Sequence, residues 1–271
     1  MEVIVMQTEE LLRAGQLNEA LAALEGQVRE DPTNAKLRVF LFQLLSVMGD
    51  WERALTQLNV AAELDALNLL MAQVCRAAIS CEAFRAEVFA GKRLPLVFGE
   101  PDEWVASLVQ ANQMIAAEKY EASQTLRDRA LEAAPAIPGS IDNKRFEWIS
   151  DADSRFGPVL EAIIDGKYYW VPFTAVKRIQ IEEPADLRDA VWIPAQFTWV
   201  NGGEATSLIP ARYPDSQASE DSSIRLARKT EWLERPGDVF LGMGQRMFAT
   251  DEDEFSLLQI RQIDLDHSES D

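Results

Sequence analysis

The chain has 271 residues, with 45 acids against 26 bases, a net charge of −19, and 47% hydrophobic and 26% charged residues. That is a globular composition long enough to bury a large core, not a disordered one. A field of this sign repels phosphate backbones and anionic lipid heads, so neither nucleic acid nor a membrane surface is an expected partner.

The opening stretch, MEVIVMQTEELLRAG, has acids where a secretion signal carries its basic residues. No run reaches the roughly 20 apolar residues that a membrane span needs. The expectation is a cytoplasmic protein. From here the first half repeats. Leu11, Gly15, Ala20, Leu21, Leu24, Asp31 and Asn34 recur 34 positions later as Leu45, Gly49, Ala54, Leu55, Leu58, Asp65 and Asn68. This period, with a turn at the glycine and a small residue where two helices cross, is that of a tetratricopeptide helix pair. Asp31-Pro32 stops the second helix, because a residue before proline is pushed out of the α region. A fainter copy is expected at Ala122 and Leu126, three periods beyond Ala20 and Leu24, whereas residues 69 to 102 do not match. The intervening MAQVCRAAISCEAFRAEVFAG still has helical spacing and ends at Gly91 and Pro95. Its two cysteines, Cys75 and Cys81, lie about 240° apart around a helix axis and cannot pair with each other, which makes them buried free thiols in a reducing compartment.

Helical patterning stops at AAPAIPGS, residues 133 to 140. We therefore divide the chain into a tetratricopeptide-like helical-hairpin array, residues 1–135, and a small antiparallel, barrel-like or strongly bent β domain, residues 136–271: an α+β protein. VLEAII, Asp165-Gly166 and KYYWVPF form the strongest hairpin signal, since Asp-Gly suits a type I′ turn. A second hairpin turns at Asn201-Gly202-Gly203, and a third places RMFA and FSLLQIRQIDL on either side of DEDE. Prolines 172, 194 and 210 point to strand edges or bulges. Packing of the β domain would cap the array's exposed apolar end. From Asp251 to Asp271 there are eight acids and one base, which reads as a solvated acidic tail containing the only histidine, His267.

The chemistry centres on FEWISDADSRFGPVLE. Counted from Asp151, an EF-hand would need an oxygen ligand, Gly and Glu where Arg155, Phe156 and Ala162 stand. One histidine excludes the usual zinc sets and the Ser-His-Asp or Cys-His arrangements. No Walker loop occurs, and Gly242-x-Gly244 lacks its third glycine. Asp151 and Asp153 are expected to brace a loop, accepting from Arg155, Arg188 or backbone amides, with Gly157-Pro158 launching the first strand. A divalent-metal site is the rival reading. The β domain also interleaves arginines with aromatics, and Arg155, Trp170, Arg188, Trp192, Arg212, Tyr213, Trp232 and Arg246 are its candidate partner-binding residues.

The run FEWISDADSRFGPVLE, with YWVPF, PADLRDAVWIPA, IPARYP, LARKTEW and GQR, closely resembles the ImpE family, also called TagJ or SciE-type, accessory proteins of type VI secretion systems. GKRLPLVFGEPDEWVASL upstream is similar to the same family, so the resemblance covers nearly the whole chain. It implies a non-enzymatic cytoplasmic protein, with no cofactor and no catalytic residues. The implied partner is the N-terminal region of the small sheath subunit TssB, in tuning sheath assembly or its recycling by the ATPase ClpV. The groove for that segment would lie in the helical array or on the Arg/Trp-rich β domain. The alternative is an enzyme or ligand-binding domain built on the Asp/Arg cluster.

Overall fold

A computed structural model of the chain describes residues 2–100 and 102–267, with side chains from Gln7 onward. Its helical part is built of pairs: α1 (Glu2–Arg13) with α2 (Leu17–Glu30), and α3 (Ala35–Met48) with α4 (Trp51–Leu64). Gly15 and Gly49 turn these pairs with φ of 75° and 76°, a left-handed conformation that costs glycine little. At both turns the next amide bonds back five residues, Gln16 to Leu11 and Asp50 to Leu45. Ala20, Leu24, Ala54 and Leu58 are fully buried at the crossings. A long α5 (Leu69–Phe89) holds both cysteines as buried free thiols and ends before Gly91. The strand β1 (Leu96–Val97) follows, and then a third pair, α6 (Glu103–Ala116) and α7 (Tyr120–Ala133).

The third pair is a true copy, but its register is one residue further along than expected. Lys119 bonds back to Met114, and Glu118 occupies the left-handed turn position with φ of 57°. The buried small residue is accordingly Ser123, and Ala122 is exposed. A non-glycine residue here costs about 1 kcal/mol, partly offset by the lower entropy of its unfolded chain. Glu118→Gly is thus expected to stabilise the protein by about 0.5–1 kcal/mol, read as a higher urea midpoint at unchanged slope.

After Ala133 the chain forms strands: β2 (Gly139–Ile141), β3 (Lys144–Phe146), β4 (Ile149–Asp151), β5 (Val159–Ile164), β6 (Lys167–Pro172), β7 (Val176–Ile181), β8 (Trp192–Trp199) and β9 (Glu204–Pro210). A single turn, α8 (Ser222–Arg225), precedes β10 (Thr230–Arg235), β11 (Val239–Gly244), β12 (Met247–Thr250), β13 (Glu254–Ser256) and β14 (Gln262–Leu265). Nine strands pair in the order β1-β6-β5-β9-β8-β7-β14-β2-β3, beside a β10-β11 ribbon and a β13-β12-β4 sheet. The nine are not closed into a ring, since β1 and β3 stand at opposite ends of the order.

All three expected hairpins form, and Asp165 and Gly166 take positive φ as a type I′ turn requires. Two more hairpins escaped the sequence reading. One turns at Asp142-Asn143, both at positive φ, and the other at Pro236-Gly237-Asp238. Each carries turn residues that a stricter reading could have used. Gly157-Pro158 launches β5, which is the fourth strand after the helix pairs and not the first. Pro172 and Pro210 end their strands, but Pro194 lies inside a central strand. Its carbonyl accepts from Glu182. With no N–H to return a bond, pairing of β7 with β8 stops at Ile181 and Ala195.

The acidic stretch is no tail as far as it is described. Asp251 accepts from the Glu147 amide at 2.8 Å, β13 pairs with β12, and β14 inserts between β7 and β2. His267 is half-buried with Nε2 2.6 Å from the Val176 carbonyl oxygen. Glu269 and Asp271 lie outside the described residues.

The sheet is a middle layer, as β5 makes plain: all six of its residues are buried. Val159 and Ile163 face a core shared with the helices, whereas Leu160, Ala162 and Ile164 face a second core within the β part. Period-two alternation carries Trp170 and Trp192 to the helix side and Val171 and Ile193 to the other. The β part therefore packs against the helices through a shared core, chiefly on α3 and α5. One continuous core and β1, contributed from the helical part to the edge strand β6, join the two portions.

Candidate functional site

Glu161 sits on the helix side of β5, in the row of Val159 and Ile163, and is fully buried. Arg85 of α5 grips it with two parallel bonds, Nε to Oε1 at 2.6 Å and Nη2 to Oε2 at 2.8 Å. Arg246 donates to the same carboxylate from the other side, and Tyr168 donates its hydroxyl at 2.5 Å. Burial pushes the Glu161 carboxyl up, but the charges of Arg85 and Arg246 prevail and hold it down at about 2. It is ionised at any working pH.

Arg246 extends the network to the DAD motif. Its guanidinium donates to Asp151 and to the Pro210 carbonyl and lies over the rings of Phe156 and Tyr213. Asp151 also accepts from the Tyr213 hydroxyl at 3.0 Å and the Asp153 amide at 2.9 Å. Here burial prevails: with the neighbouring Asp153 charge it outweighs Arg246 and raises the Asp151 carboxyl to about 7.

Asp153 fastens the β10-β11 ribbon. Oδ1 takes the Arg155 amide at 2.7 Å and Nε at 2.9 Å, and Oδ2 takes Arg155 Nη2 and the Gly242 amide, both at 2.5 Å. Arg155 returns a bond to the Gly242 carbonyl, and Ser154 exchanges bonds with Phe240. The loop thus satisfies the edge of β11 that β10 leaves open. Gly242 is required because a Cβ there would stand 2.2 Å from the Tyr213 ring. Gly242→Ala is expected to cost about 1–3 kcal/mol, seen as a lowered urea midpoint.

The loop-bracing roles of Asp151 and Asp153 hold, with one correction. Arg188 is not their partner: it pairs with Asp186 at 3.2 Å and Asp189 at 3.7 Å, against α5. Arg246, 95 residues from Asp151, takes that place. Among the described residues no three His, Cys, Asp or Glu side chains converge to hold a metal ion. A stoichiometric calorimetric signal with Mg²⁺, Ca²⁺ or Mn²⁺ that depended on Asp151 would contradict the bracing role.

Of the eight candidate contact residues, Arg155, Trp170, Trp192, Arg212, Tyr213 and Arg246 are buried within the chain. Trp192 bonds Glu82 at 2.8 Å and packs on Trp51. Arg212 donates to the carbonyls of Ser46 and Val47 at the end of α3 and to that of Arg225. Burial, with the neighbouring charges of Arg85 and Arg225, outweighs the attraction of Glu82 and lowers it to about 10. Arg188 is half-buried, and Trp232 is exposed on the ribbon. Sequence reasoning missed Arg85, Glu82 and Glu161, charged residues in apolar runs that are themselves a signal of buried pairing.

A groove of about 640 Å³ lies elsewhere, between the first turns of α5 and the strands β5, β9 and β8. Ile163 and Trp192 lie at its floor, with Leu70 and Val74 on one wall.

The geometry agrees with what the chain is related to. Residues 143–264 match the family model described as "ImpE protein", and residues 11–76 match a tetratricopeptide repeat model. A Pseudomonas aeruginosa protein named "Type VI secretion system accessory component TagJ" is 50% identical over 267 residues, covering 98% of this chain and 94% of that one. This chain belongs to the ImpE family. A crystal structure of a Vibrio parahaemolyticus protein superimposes with a TM-score of 0.87 at 27% identity, over 97% of this chain and 98% of that one. The network of Arg85, Asp151, Glu161 and Arg246 lies largely within the ImpE-matched segment, and only Arg85, on α5, stands outside it. It explains the charged signature of this ImpE chain as architecture that locks the helices to the sheet. Among the described residues no helix is long and apolar enough to cross a membrane.

Proposed function

We propose that the chain is a non-enzymatic accessory adaptor of a type VI secretion system, working in the cytoplasm. It binds the N-terminal segment of the small sheath subunit TssB and thereby tunes sheath assembly or ClpV-dependent recycling. The observation that carries this reading is the half-identity, across nearly the full length of both chains, with a protein named as an accessory component of that machine. Two features support it. Helix-pair arrays present extended surfaces suited to peptide segments. The carboxylates of the DAD motif are taken up by Arg155, Arg246, Tyr213 and backbone amides, which leaves them to hold the fold.

The test is fluorescence anisotropy of a labelled TssB N-terminal peptide against the full chain, because the shared core makes either half alone an unsuitable probe. Saturable binding is expected. Absence of binding to a folded protein by a soluble peptide would overturn the adaptor role, and saturable turnover abolished by Asp153→Ala would overturn the non-enzymatic one.

A further inference from the structure

The β10-β11 ribbon has one satisfied edge and one open edge. The loop of residues 151–155 occupies the outer edge of β11, where Ser154 bonds Phe240 and Asp153 bonds Gly242. β10 has no strand on its other side among the described residues, and its four central residues, Glu231, Trp232, Leu233 and Glu234, are exposed. The ladder fixes which backbone groups are open. Gln245 donates to the Lys229 carbonyl at 3.0 Å, so residues 229, 231, 233 and 235 turn their amides and carbonyls to β11. Those of Thr230, Trp232 and Glu234 therefore point outward, a template for another strand.

Charges on an edge strand normally prevent pairing, but here their order is self-complementary. Glu231, Leu233 and Arg235 share one face, an acid and a base placed equally on either side of a leucine. We propose that the occupant of this edge is a second copy of the chain, with β10 pairing antiparallel to its counterpart across a two-fold axis at Leu233. Such a contact uses the same patch on both copies, so every pair occurs twice. Charge selects the register among the four exposed residues on which the axis can be centred. An axis at Glu231 or Glu234 sets identical carboxylates face to face, and one at Trp232 sets Lys229 against Arg235. An axis at Leu233 sets Glu231 opposite Arg235, and Trp232 opposite Glu234 with their open backbone groups bonded to each other.

In that register the two Leu233 side chains and the Glu231–Arg235 pairs fall at non-hydrogen-bonded positions, where facing side chains stand closest. Leu241 is the neighbour of Leu233 on β11, so a row of four leucines crosses the four strands. Arg235 makes no ion pair among the described residues; its Nη1 bonds the Glu234 carbonyl at 3.1 Å, a group that the second strand takes over. Lys229 is shared between Glu231 at 2.6 Å and Asp221 at 2.8 Å, and Glu231 gains a second cation in the dimer. Six-residue edges cover less than the roughly 800 Å² per partner of a standard interface, which makes this a weak, reversible dimer. The inference stands apart from the adaptor reading; a dimer presents two copies of whatever surface a partner uses.

Sedimentation velocity of the full chain over a concentration series tests this at physiological ionic strength, where the net charge of −19 on each copy is screened beyond about 8 Å. A monomer–dimer equilibrium is expected. Glu231→Arg and Arg235→Glu each set two like-charge pairs across the axis and weaken the dimer by about tenfold or more. Mixed together, the two variants associate with each other more tightly than either does with itself, and the double variant recovers most of the wild-type affinity. Both positions lie at the surface of the ribbon, so the melting temperature stays at the wild-type value. Under oxidation Leu233→Cys forms a covalent dimer, since facing Cα atoms at such a pair stand about 4.5 Å apart, and Trp232→Cys, which faces Glu234, forms none. A monomer at every concentration overturns a second copy as the occupant. A dimer that both charge variants leave intact, or variants that weaken it but fail to associate on mixing, overturn the β10 contact.

Discussion

Arg246→Met lowers the unfolding free energy by about 3–5 kcal/mol, as expected when a buried ion pair loses one partner. Arg246 has no exposed surface, and among the described residues it connects Asp151 with Glu161. Methionine fills similar volume, so the cost comes from charge and not from a cavity. It leaves Glu161 ionised with only Arg85 and Tyr168 to satisfy it, and Asp151 with no cation. Adding Glu161→Gln to Arg246→Met should recover part of the loss, because the uncompensated carboxylate is then gone. The two changes are non-additive for the same reason. Urea unfolding of the single and double variants measures this. A loss below about 1 kcal/mol, the range of exposed pairs, would mean that the network does not lock the helices to the sheet.

The second large effect is pH dependence. The Asp151 carboxyl is raised to about 7 in the folded chain from an ordinary value near 3.8, so the native state holds a proton that the unfolded chain releases. Its contribution to stability is fully present below about pH 4 and is lost as pH rises through 7, with a slope of at most about 1.4 kcal/mol per pH unit. Glu161 works in the opposite direction: held at about 2, it contributes above pH 4.5 and is lost only as pH falls towards 2. Asp151→Asn removes the first dependence and leaves the second. The stability difference between wild type and Asp151→Asn should therefore shrink from pH 4 to 7 and stay flat above 8. A difference that grew in favour of the wild type with pH would show that Arg246 favours the charged carboxylate more than burial opposes it.

These two carboxylates show why the site was only partly legible. Asp153 and Arg155 are two residues apart, and their pairing follows from spacing. Asp151 and Arg246 meet across 95 residues, so no spacing rule links them, and Arg188 was an equally good choice by composition. The aromatic and cationic residues picked as a contact surface are mostly interior. Composition identifies groups suited to an interface, but the same groups suit a desolvated core where each finds a partner.

What the sequence by itself determined is whatever is encoded within one turn or one hairpin. The 34-residue repeat follows from glycine's tolerance of positive φ at Gly15 and Gly49. The β5-β6 hairpin follows from Asp165-Gly166, and the change from helices to strands between Ala133 and Gly139 follows from the prolines and glycine there. Tertiary structure decided the rest. Glu118 takes the glycine position and shifts the third pair by one residue, because packing overrides a local cost of about 1 kcal/mol. β1 leaves the helical part to extend β6, and β14 carries Asp264 into the nine-stranded sheet between β7 and β2, because strand pairing and alternate-face burial outweigh its charge. Pairing between distant segments leaves no periodic trace in either one. It is settled only when the whole core assembles.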